Sequence, residues 1–225
     1  MIKDNSHAKI AIDGPAGSGK STVSREVSRR LKVPYLDTGA MYRAITLKVI
    51  QQKVGLADLE ALDKLLGSTQ IRFGEDSKVY LDGEDVTEEI RKPPVNELVS
   101  PVSCISSVRR HLVAVQQSIA GESGGIIMEG RDIASRVMPD ADYKFYLDAS
   151  IEERAKRRCK EQLEKGIHLS LREVTAEIKK RDRIDSQRED SPLTVVEDAI
   201  IVDTTGMTFI EVVDNIIEVI NEGMR

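Results

Sequence analysis

The sequence predicts an α/β protein whose core is a parallel sheet with helices on both faces. Two observations lead to this fold. Short apolar runs of four or five residues alternate with longer segments of helical periodicity, which is typical of parallel strands joined by helical crossovers. The chain has 225 residues, 40% of them hydrophobic, which is enough for one domain or one domain with an insertion and excludes a disordered chain.

The first elements surround a glycine-rich turn. Residues 9–13 form an apolar strand that runs directly into this turn, and the spacing of small and apolar residues predicts a helix over 21–32. A second strand is predicted over 33–36 and a second helix over 38–52. Residues 71–82 alternate and contain Gly-Glu-Asp-Ser between two short runs. This pattern predicts an antiparallel hairpin, which interrupts the alternation and is interpreted as an insertion.

The second half of the chain returns to alternating helices and strands. Residues 95–120 are predicted to be largely helical despite Pro101. Strands are predicted over 125–129, 143–147 and 199–203, the last being the fifth strand of the core. Three later helices are indicated by capping boxes, in which Ser or Thr is followed three residues later by Glu. They begin at Ser150, Ser170 and Thr208.

Composition narrows the class of protein. The net charge of −5 and a pI near 5.4 argue against a general nucleic-acid binder. With no run of eighteen apolar residues and no secretion signal at the N-terminus, we expect a cytosolic protein. The stretch 152–190 holds 12 basic and 10 acidic residues among 39. By composition alone this stretch indicates a solvated helical face.

Cysteine and histidine give no sign of a metal cluster. The two cysteines, Cys104 and Cys159, lie far apart, so neither a disulfide framework nor a cysteine-bound metal is expected. The three histidines, His7, His111 and His168, are scattered, so a zinc site bound by histidine is not expected either.

The strongest functional signal is a full match to G-x-x-x-x-G-K-[ST] between the first strand and the first helix. Its residues are Gly14, Pro15, Ala16, Gly17, Ser18, Gly19, Lys20 and Ser21, followed by Thr22. Glycines let the backbone curl so that successive N–H groups point at phosphate oxygens, and the helix adds its positive end. Lys20 would reach the β- and γ-phosphates and Ser21 would bind Mg²⁺. A nucleoside triphosphate with Mg²⁺ is therefore the predicted ligand.

Arginines beside carboxylates suggest a second phosphate-bearing substrate. They follow two predicted strands, in Asp37-Thr-Gly-Ala-Met-Tyr-Arg43 and in Glu129-Gly-Arg131-Asp132. Ligands of doubly wound sheets bind beyond the carboxyl ends of the strands. Farther along, Arg181, Asp185 and Arg188 are spaced i, i+4 and i+7, which places them on one face of a helix. A regulatory GTPase is disfavoured because the chain lacks an Asn-Lys-x-Asp motif.

The segments IDGPAGSGKST, DTGAMYRA, EGRDIA, and RDRIDSQR followed by DSPL resemble bacterial cytidylate kinases of the type with a long nucleotide-binding insertion. The resemblance covers essentially the whole chain, including LDGEDVTEEIR in the insertion. It implies phosphate transfer from ATP to CMP or dCMP, in pyrimidine nucleotide metabolism. It also implies a P-loop kinase fold with a five-stranded parallel core, a substrate-binding insertion containing a small antiparallel sheet, and a mobile helical lid.

The same resemblance implies roles for individual residues. Lys20, Arg131 and Arg188 would be catalytic. The CMP phosphate would be bound by Arg43, Arg131 and Arg188, with Thr38 nearby. Ser100, Arg109 and Asp132 would bind the cytosine edge, and Arg181 with Asp185 the sugar. Arg154 and Arg158 would reach the ATP phosphates.

Further expectations concern the metal, the partners and the division of the chain. Ser21 would bind Mg²⁺ directly, and Asp37 and Glu129 through water, although the family usually has Asp at the position of Glu129. The core would comprise 1–40, 106–150 and 191–225, the insertion about 41–105, and the lid about 151–190. We expect a monomer that binds ATP and CMP and neither nucleic acid nor membrane. A shikimate-type kinase and a slowly hydrolysing regulatory NTPase are the alternatives.

Overall fold

The structure, a computed structural model, describes residues 6–74, 77–164 and 166–223. Its strands are β1 (Lys9–Asp13), β2 (Tyr35–Asp37), β3 (Ile71–Phe73), β4 (Val79–Leu81), β5 (Glu84–Asp85), β6 (Ile126–Gly130), β7 (Tyr143–Asp148) and β8 (Ile200–Asp203). Its α-helices are α1 (Lys20–Leu31), α2 (Thr38–Gln52), α3 (Leu59–Gly67), α4 (Pro93–Ser103), α5 (Ser106–Glu122), α6 (Ile151–Glu164), α7 (Leu171–Gln187) and α8 (Phe209–Glu222).

The predicted five-stranded parallel sheet is confirmed. Its strand order is β2-β6-β1-β7-β8, and the register pairs β1 with β6, β1 with β7 and β7 with β8 in parallel. Ile10, Ile12 and Phe145 are fully buried, as expected for strands covered on both faces. Because β1 is the middle strand, the glycine-rich loop that follows it begins at the centre of the sheet's carboxyl edge.

One compact unit comprises the described residues within 1–35 and 120–225. Its main hydrophobic cluster joins strand residues such as Ile12 and Leu147 to Val27 of α1 and Ile216 of α8. Helices α6 and α7 pack on each other through a smaller cluster. That cluster contains Ala155, Val174 and Ile178.

The second compact unit comprises residues 36–119. The predicted hairpin is confirmed as β3 and β4, and β5 adds a third antiparallel strand that the sequence analysis did not predict. Two residues of the predicted turn, 75 and 76, lie outside the described residues. The buried ammonium of Lys48, on α2, lies 2.6 Å from Asp82 Oδ2, which ties the helix to the chain just after β4.

The structure differs from the predicted elements at three places. The second strand lies at Tyr35–Asp37 rather than 33–36, and helix α3 was missed. The prediction that 95–120 is largely helical is confirmed, but the segment is divided into two helices, because α4 ends at Ser103 and α5 begins at Ser106. Pro101 has no N–H, so one helical hydrogen bond of α4 is missing. At the end of this helix, Cys104 N donates to Pro101 O and Ile105 N to Val102 O, both at 3.1 Å, and these bonds span three residues instead of four.

Two of the three predicted capping boxes are complete. Ser170 and Thr208 each accept from the backbone of the Glu three residues later, whose side chain bonds back to them. At Ser150 only the first half forms, with Glu153 N 3.2 Å from Ser150 Oγ. The carboxylate of Glu153 accepts instead from Arg157 Nε at 3.1 Å.

Two composition-based expectations can be compared with the structure. Both cysteines are free thiols, Cys104 exposed and Cys159 half-buried. Within 6–74, 77–164 and 166–223, no helix is long and apolar enough to cross a membrane.

Candidate active site

The glycine-rich loop has a shape that only its sequence permits. At Gly14, φ is 149°, and a β-carbon there would lie 2.1 Å from the carbonyl oxygen of Leu147 in β7. Gly19 is the N-cap of α1 in the left-handed region, with φ 93°. Since glycine cannot cap with a side chain, the first-turn amides and the positive end of the helix dipole are directed at the loop. This is the geometry of a phosphate site.

Lys20 is the charged side chain within this loop. It is buried, and Nζ donates to Pro15 O at 2.7 Å and to Ser18 Oγ at 3.3 Å. Burial and, after it, the charge of Arg131 lower the pKa of Lys20 to about 7, although Glu129 opposes the shift. An anionic phosphate near Nζ would favour the charged ammonium.

Three arginines surround one buried carboxylate in what we call the arginine cluster, composed of Arg131, Arg181, Arg188, Asp185 and Asp132. Arg131 Nε donates to Asp185 Oδ2 at 2.8 Å, and Arg181 Nε lies 3.9 Å from the same oxygen. Arg188 lies 3.6 Å from Asp185 Oδ1 and 3.8 Å from Asp132 Oδ1. Although burial raises it, the pKa of Asp185 stays below its usual value because Arg131 and Arg181 outweigh burial. The cluster has more cations than carboxylates, which suits an anionic ligand.

The spacing of 181, 185 and 188 correctly predicted that these residues lie together, but not that Arg188 lies outside the helix. Helix α7 ends at Gln187, and Arg188 is its C-cap with extended backbone. Its Nε donates to Ser191 O at 2.6 Å, and this bond helps to hold the guanidinium in place.

Helix α6 contacts the backbone of the glycine-rich loop through Arg154 and Arg157. Arg154 donates to Ala16 O at 3.1 Å and to Asp182 at 2.7 Å, so it braces the loop backbone. Arg157, which the sequence analysis missed, lies 3.5 Å from Ser18 O and donates to Thr204 Oγ1 at 2.9 Å.

Arg158 turns to its own helix and donates to Glu161 at 2.8 Å. Arg157 and Arg158 lie three and four residues after Arg154, so helical spacing alone could not choose between them.

We expect Arg157→Ala to raise KM for ATP about 10-fold, because it removes a charged donor from the loop and from Thr204. Lys156→Ala, at an exposed position of the same helix, is the control and should leave KM for ATP unchanged. Steady-state kinetics with varied ATP measures both. Equal KM values for the two variants would contradict a role of Arg157 at the loop. Arg158→Ala, assayed alongside, tests the sequence-based ATP role of Arg158.

Three oxygen-bearing side chains are the predicted Mg²⁺ residues. Ser21 is half-buried in the first turn of α1. Glu129, buried near the end of β6, accepts from Tyr35 OH at 2.5 Å. Asp37 caps α2 by accepting from Ala40 N at 3.1 Å. Its other carboxylate oxygen, Oδ2, lies 3.9 Å from Arg91 Nη2.

The remaining predicted CMP residues lie in the second unit. Arg109 is 2% exposed, lies 5.1 Å above the Tyr42 ring and donates to Ser103 O at 3.1 Å. Arg43 is half-buried and donates to Asn96 Oδ1 and, at 3.4 Å, to Ile90 O. Thr38 is the buried first residue of α2, and Ser100 is half-buried on α4. Their roles towards CMP stay predictions.

A parallel sheet whose middle strand leads into G-x-x-x-x-G-K-S, with arginines gathered beside the loop, defines the class of P-loop phosphotransferases. The sequence model of the family described as Cytidylate kinase matches residues 10–222. The chain belongs to the cytidylate kinase family.

Individual relatives agree with this membership. A cytidylate kinase of Caldanaerobacter subterraneus subsp. tengcongensis is 50% identical over 221 residues, which cover 98% of each chain. A cytidylate kinase of a Geobacillus species is 48% identical, covering 95% of this chain and 96% of the relative. Among solved structures, an uncharacterized protein from Eubacterium ventriosum shares the fold, with a TM-score of 0.52, 15% identity, and 96% and 99% of the two chains covered.

Proposed function

We propose that this protein transfers the γ-phosphoryl group of ATP to CMP or dCMP, forming ADP and CDP or dCDP. The observation that supports this most is the presence, in one compact unit, of a triphosphate-type loop and a separate arginine cluster. A kinase whose acceptor lacks a phosphate does not need a second set of phosphate-binding arginines. Membership of the cytidylate kinase family supports the same substrate.

Phosphoryl transfer requires that the two substrates are positioned in line and that the charge on the transferring phosphoryl group is neutralised. An oxygen of the CMP phosphate attacks the γ-phosphorus in line, so neither a covalent intermediate nor a strong base is needed. Lys20 would accompany the β- and γ-phosphates, and Arg131 and Arg188 would bind the acceptor phosphate. Arginine suits this role because its planar group binds two phosphate oxygens at once.

The oxygen donors of the site fit Mg²⁺. Ser21 would bind it, and the carboxylates of Glu129 and Asp37 would hold water molecules around it. Mg²⁺ in phosphoryl-transfer sites is commonly bound by one or two protein side chains together with substrate phosphates and water. When bound with ATP, Mg²⁺ neutralises charge on the phosphates.

Other residues are assigned from the family resemblance. Asp132 would accept from the cytosine amino group, and Arg181 with Asp185 would bind the sugar. Ser100, Arg109, Arg43 and Thr38 of the second unit are proposed as further CMP ligands. Helices α6 and α7 are proposed as a lid that excludes water, since ATP would otherwise be hydrolysed. A monomeric, cytosolic enzyme remains our expectation.

A coupled assay for ADP, run with ATP and Mg²⁺, tests this function. We expect ADP release to depend on CMP or dCMP. Stimulation by shikimate instead of CMP would favour the shikimate-type kinase. Release that is the same with and without any acceptor would favour a regulatory NTPase. Comparing CMP with dCMP in the same assay measures the preference for the sugar.

Arg188→Lys should lower kcat/KM for CMP by about 10²-fold, the usual effect of removing one positioned donor. Lysine keeps the charge but cannot hold Ser191 O, Asp185 and a phosphate together. Arg183→Lys, at an exposed position of α7, is the matched control and should behave as wild type. If Arg188→Lys retained full activity, Arg188 would act only as a counter-charge.

A further inference from the structure

The turn that follows β6 presents Arg131 and Asp132 and has an unusual cap. Residues Ile133–Val137 form one π-helical turn, with Met138 N donating to Ile133 O at 2.7 Å. Asp132 occupies the N-cap position, with φ −142° and ψ 23°. An aspartate at this position commonly turns its own carboxylate onto the N–H groups at the start of the helix.

Here the carboxylate of Asp13 accepts the hydrogen bonds of those N–H groups. Asp13 is the last residue of β1, is 2% exposed, and directly precedes Gly14 of the phosphate loop. Its Oδ1 accepts from Ile133 N at 3.0 Å and its Oδ2 from Ala134 N at 2.8 Å. One residue of the middle strand therefore fixes the start of the turn through both carboxylate oxygens.

Because Asp13 caps the turn in place of Asp132, the Asp132 side chain is available to the arginine cluster. The Asp132 carboxylate is buried and lies 3.8 Å from Arg188, in the arginine cluster. Were it bound to its own turn, it would have less capacity for the cluster or a ligand. Arg131, one residue earlier, is directed to Asp185 at 2.8 Å. The cap provided by Asp13 thus leaves both side chains to the cluster.

We propose that Asp13 is a positioning residue for the nucleoside monophosphate, which caps the turn after β6 so that Arg131 and Asp132 are directed at the substrate. This inference rests on the proposed function, because it assigns those two residues to CMP. It adds a residue that touches neither substrate and links the strand before the ATP loop to the acceptor site.

Burying the Asp13 carboxylate is electrostatically unfavourable for its charged form. Burial raises the pKa of Asp13 to about 6, while its bonds to Ala134 and Ile133 lower it. Asp132 adds repulsion, and Lys20 adds attraction. A neutral asparagine would avoid the burial cost, but it has only one acceptor oxygen and could not bind the two N–H groups through two separate oxygens, as Asp13 does. The bidentate cap is the physical reason for an aspartate here.

Asp13→Asn tests the proposal, because the amide keeps the shape but turns an N–H₂ group towards one of the two backbone N–H donors. We expect KM for CMP to rise about 10-fold, as for a misplaced positioning group, and KM for ATP to stay near wild type. Amide hydrogen exchange of Ile133 and Ala134 should accelerate. Asp142→Asn is the matched control, because Asp142 accepts from Lys9 N at 3.0 Å at the opposite end of β1.

The outcomes separate the two proposals. If wild type does not phosphorylate CMP, the proposed function fails, and the exchange measurement still tests the cap. If wild type is active but Asp13→Asn leaves KM for CMP unchanged, or raises both KM values equally, the positioning role is overturned. Should Asp13→Asn not fold, Asp13→Ser, whose hydroxyl can satisfy one N–H, takes its place with the same expected result.

Discussion

Lys20→Ala should lower kcat by about 10²- to 10³-fold or more, the effect expected when a positioned charge is removed from a transferring group. The alanine variant should melt at or above the wild-type temperature. A lysine whose folded-state pKa is lowered to about 7 costs stability at every pH below its unfolded value of 10.5, and the variant is relieved of that cost. Coupled ADP kinetics and thermal melting measure the two effects.

The control for this variant is Lys64→Ala. Lys64 is an exposed lysine, paired with Glu60 one turn away on α3, and its loss should change neither rate nor melting. Near-normal turnover of purified Lys20→Ala would contradict the assignment of the loop as the ATP site. A large fall in melting temperature would instead mean that Lys20 supports the fold.

Asp132→Ala should narrow the preference for CMP over UMP. A carboxylate accepts from the cytosine amino group but meets the uracil carbonyl acceptor to acceptor. Sites built from buried hydrogen-bonding groups can reject a mismatched partner by roughly 10⁴-fold. We therefore expect kcat/KM for CMP to fall by about 10²-fold or more, and for UMP much less. Kinetics with both nucleotides on one preparation gives the ratio independently of the folded fraction.

Asp132→Asn sharpens this experiment. The amide of asparagine can donate to the uracil carbonyl. The ratio of kcat/KM for UMP to kcat/KM for CMP should therefore be higher in Asp132→Asn than in Asp132→Ala. Activity lost equally for the two nucleotides would mean that Asp132 supports Arg188, 3.8 Å away, and does not read the base.

Where local signals agreed with tertiary structure, the sequence predicted the fold to the residue. The strand Lys9–Asp13 is bounded by the glycine loop, and Thr38–Gln52 begins directly after an aspartate that caps it. The loop from Gly14 to Ser21 was predictable because phosphate binding restricts its composition. The proximity of Arg181 and Asp185 followed from helical spacing, whereas Arg188 lies beside Asp185 from the C-cap position.

Other features depend on information that local pattern does not contain. Helix α3 had a signal, since Asp58 caps it through Ala61 N at 3.0 Å and Leu62, Leu65 and Leu66 are buried. That signal is only nine residues long and was overlooked. The contact between Arg157 and the loop depends on how α6 packs there. The cap by Asp13 joins residues 120 positions apart, and no local rule predicts it.

The close approach of Gly14 to the Leu147 carbonyl has a consequence for binding thermodynamics. The sheet itself holds the start of the loop, because strand β7 leaves no room for any side chain there. The conformational entropy of this backbone is therefore lost when the protein folds and not when a nucleotide arrives. Affinity for triphosphate should then show little of the ordering penalty that flexible loops impose, and backbone order parameters at residues 14–19 should change little on binding.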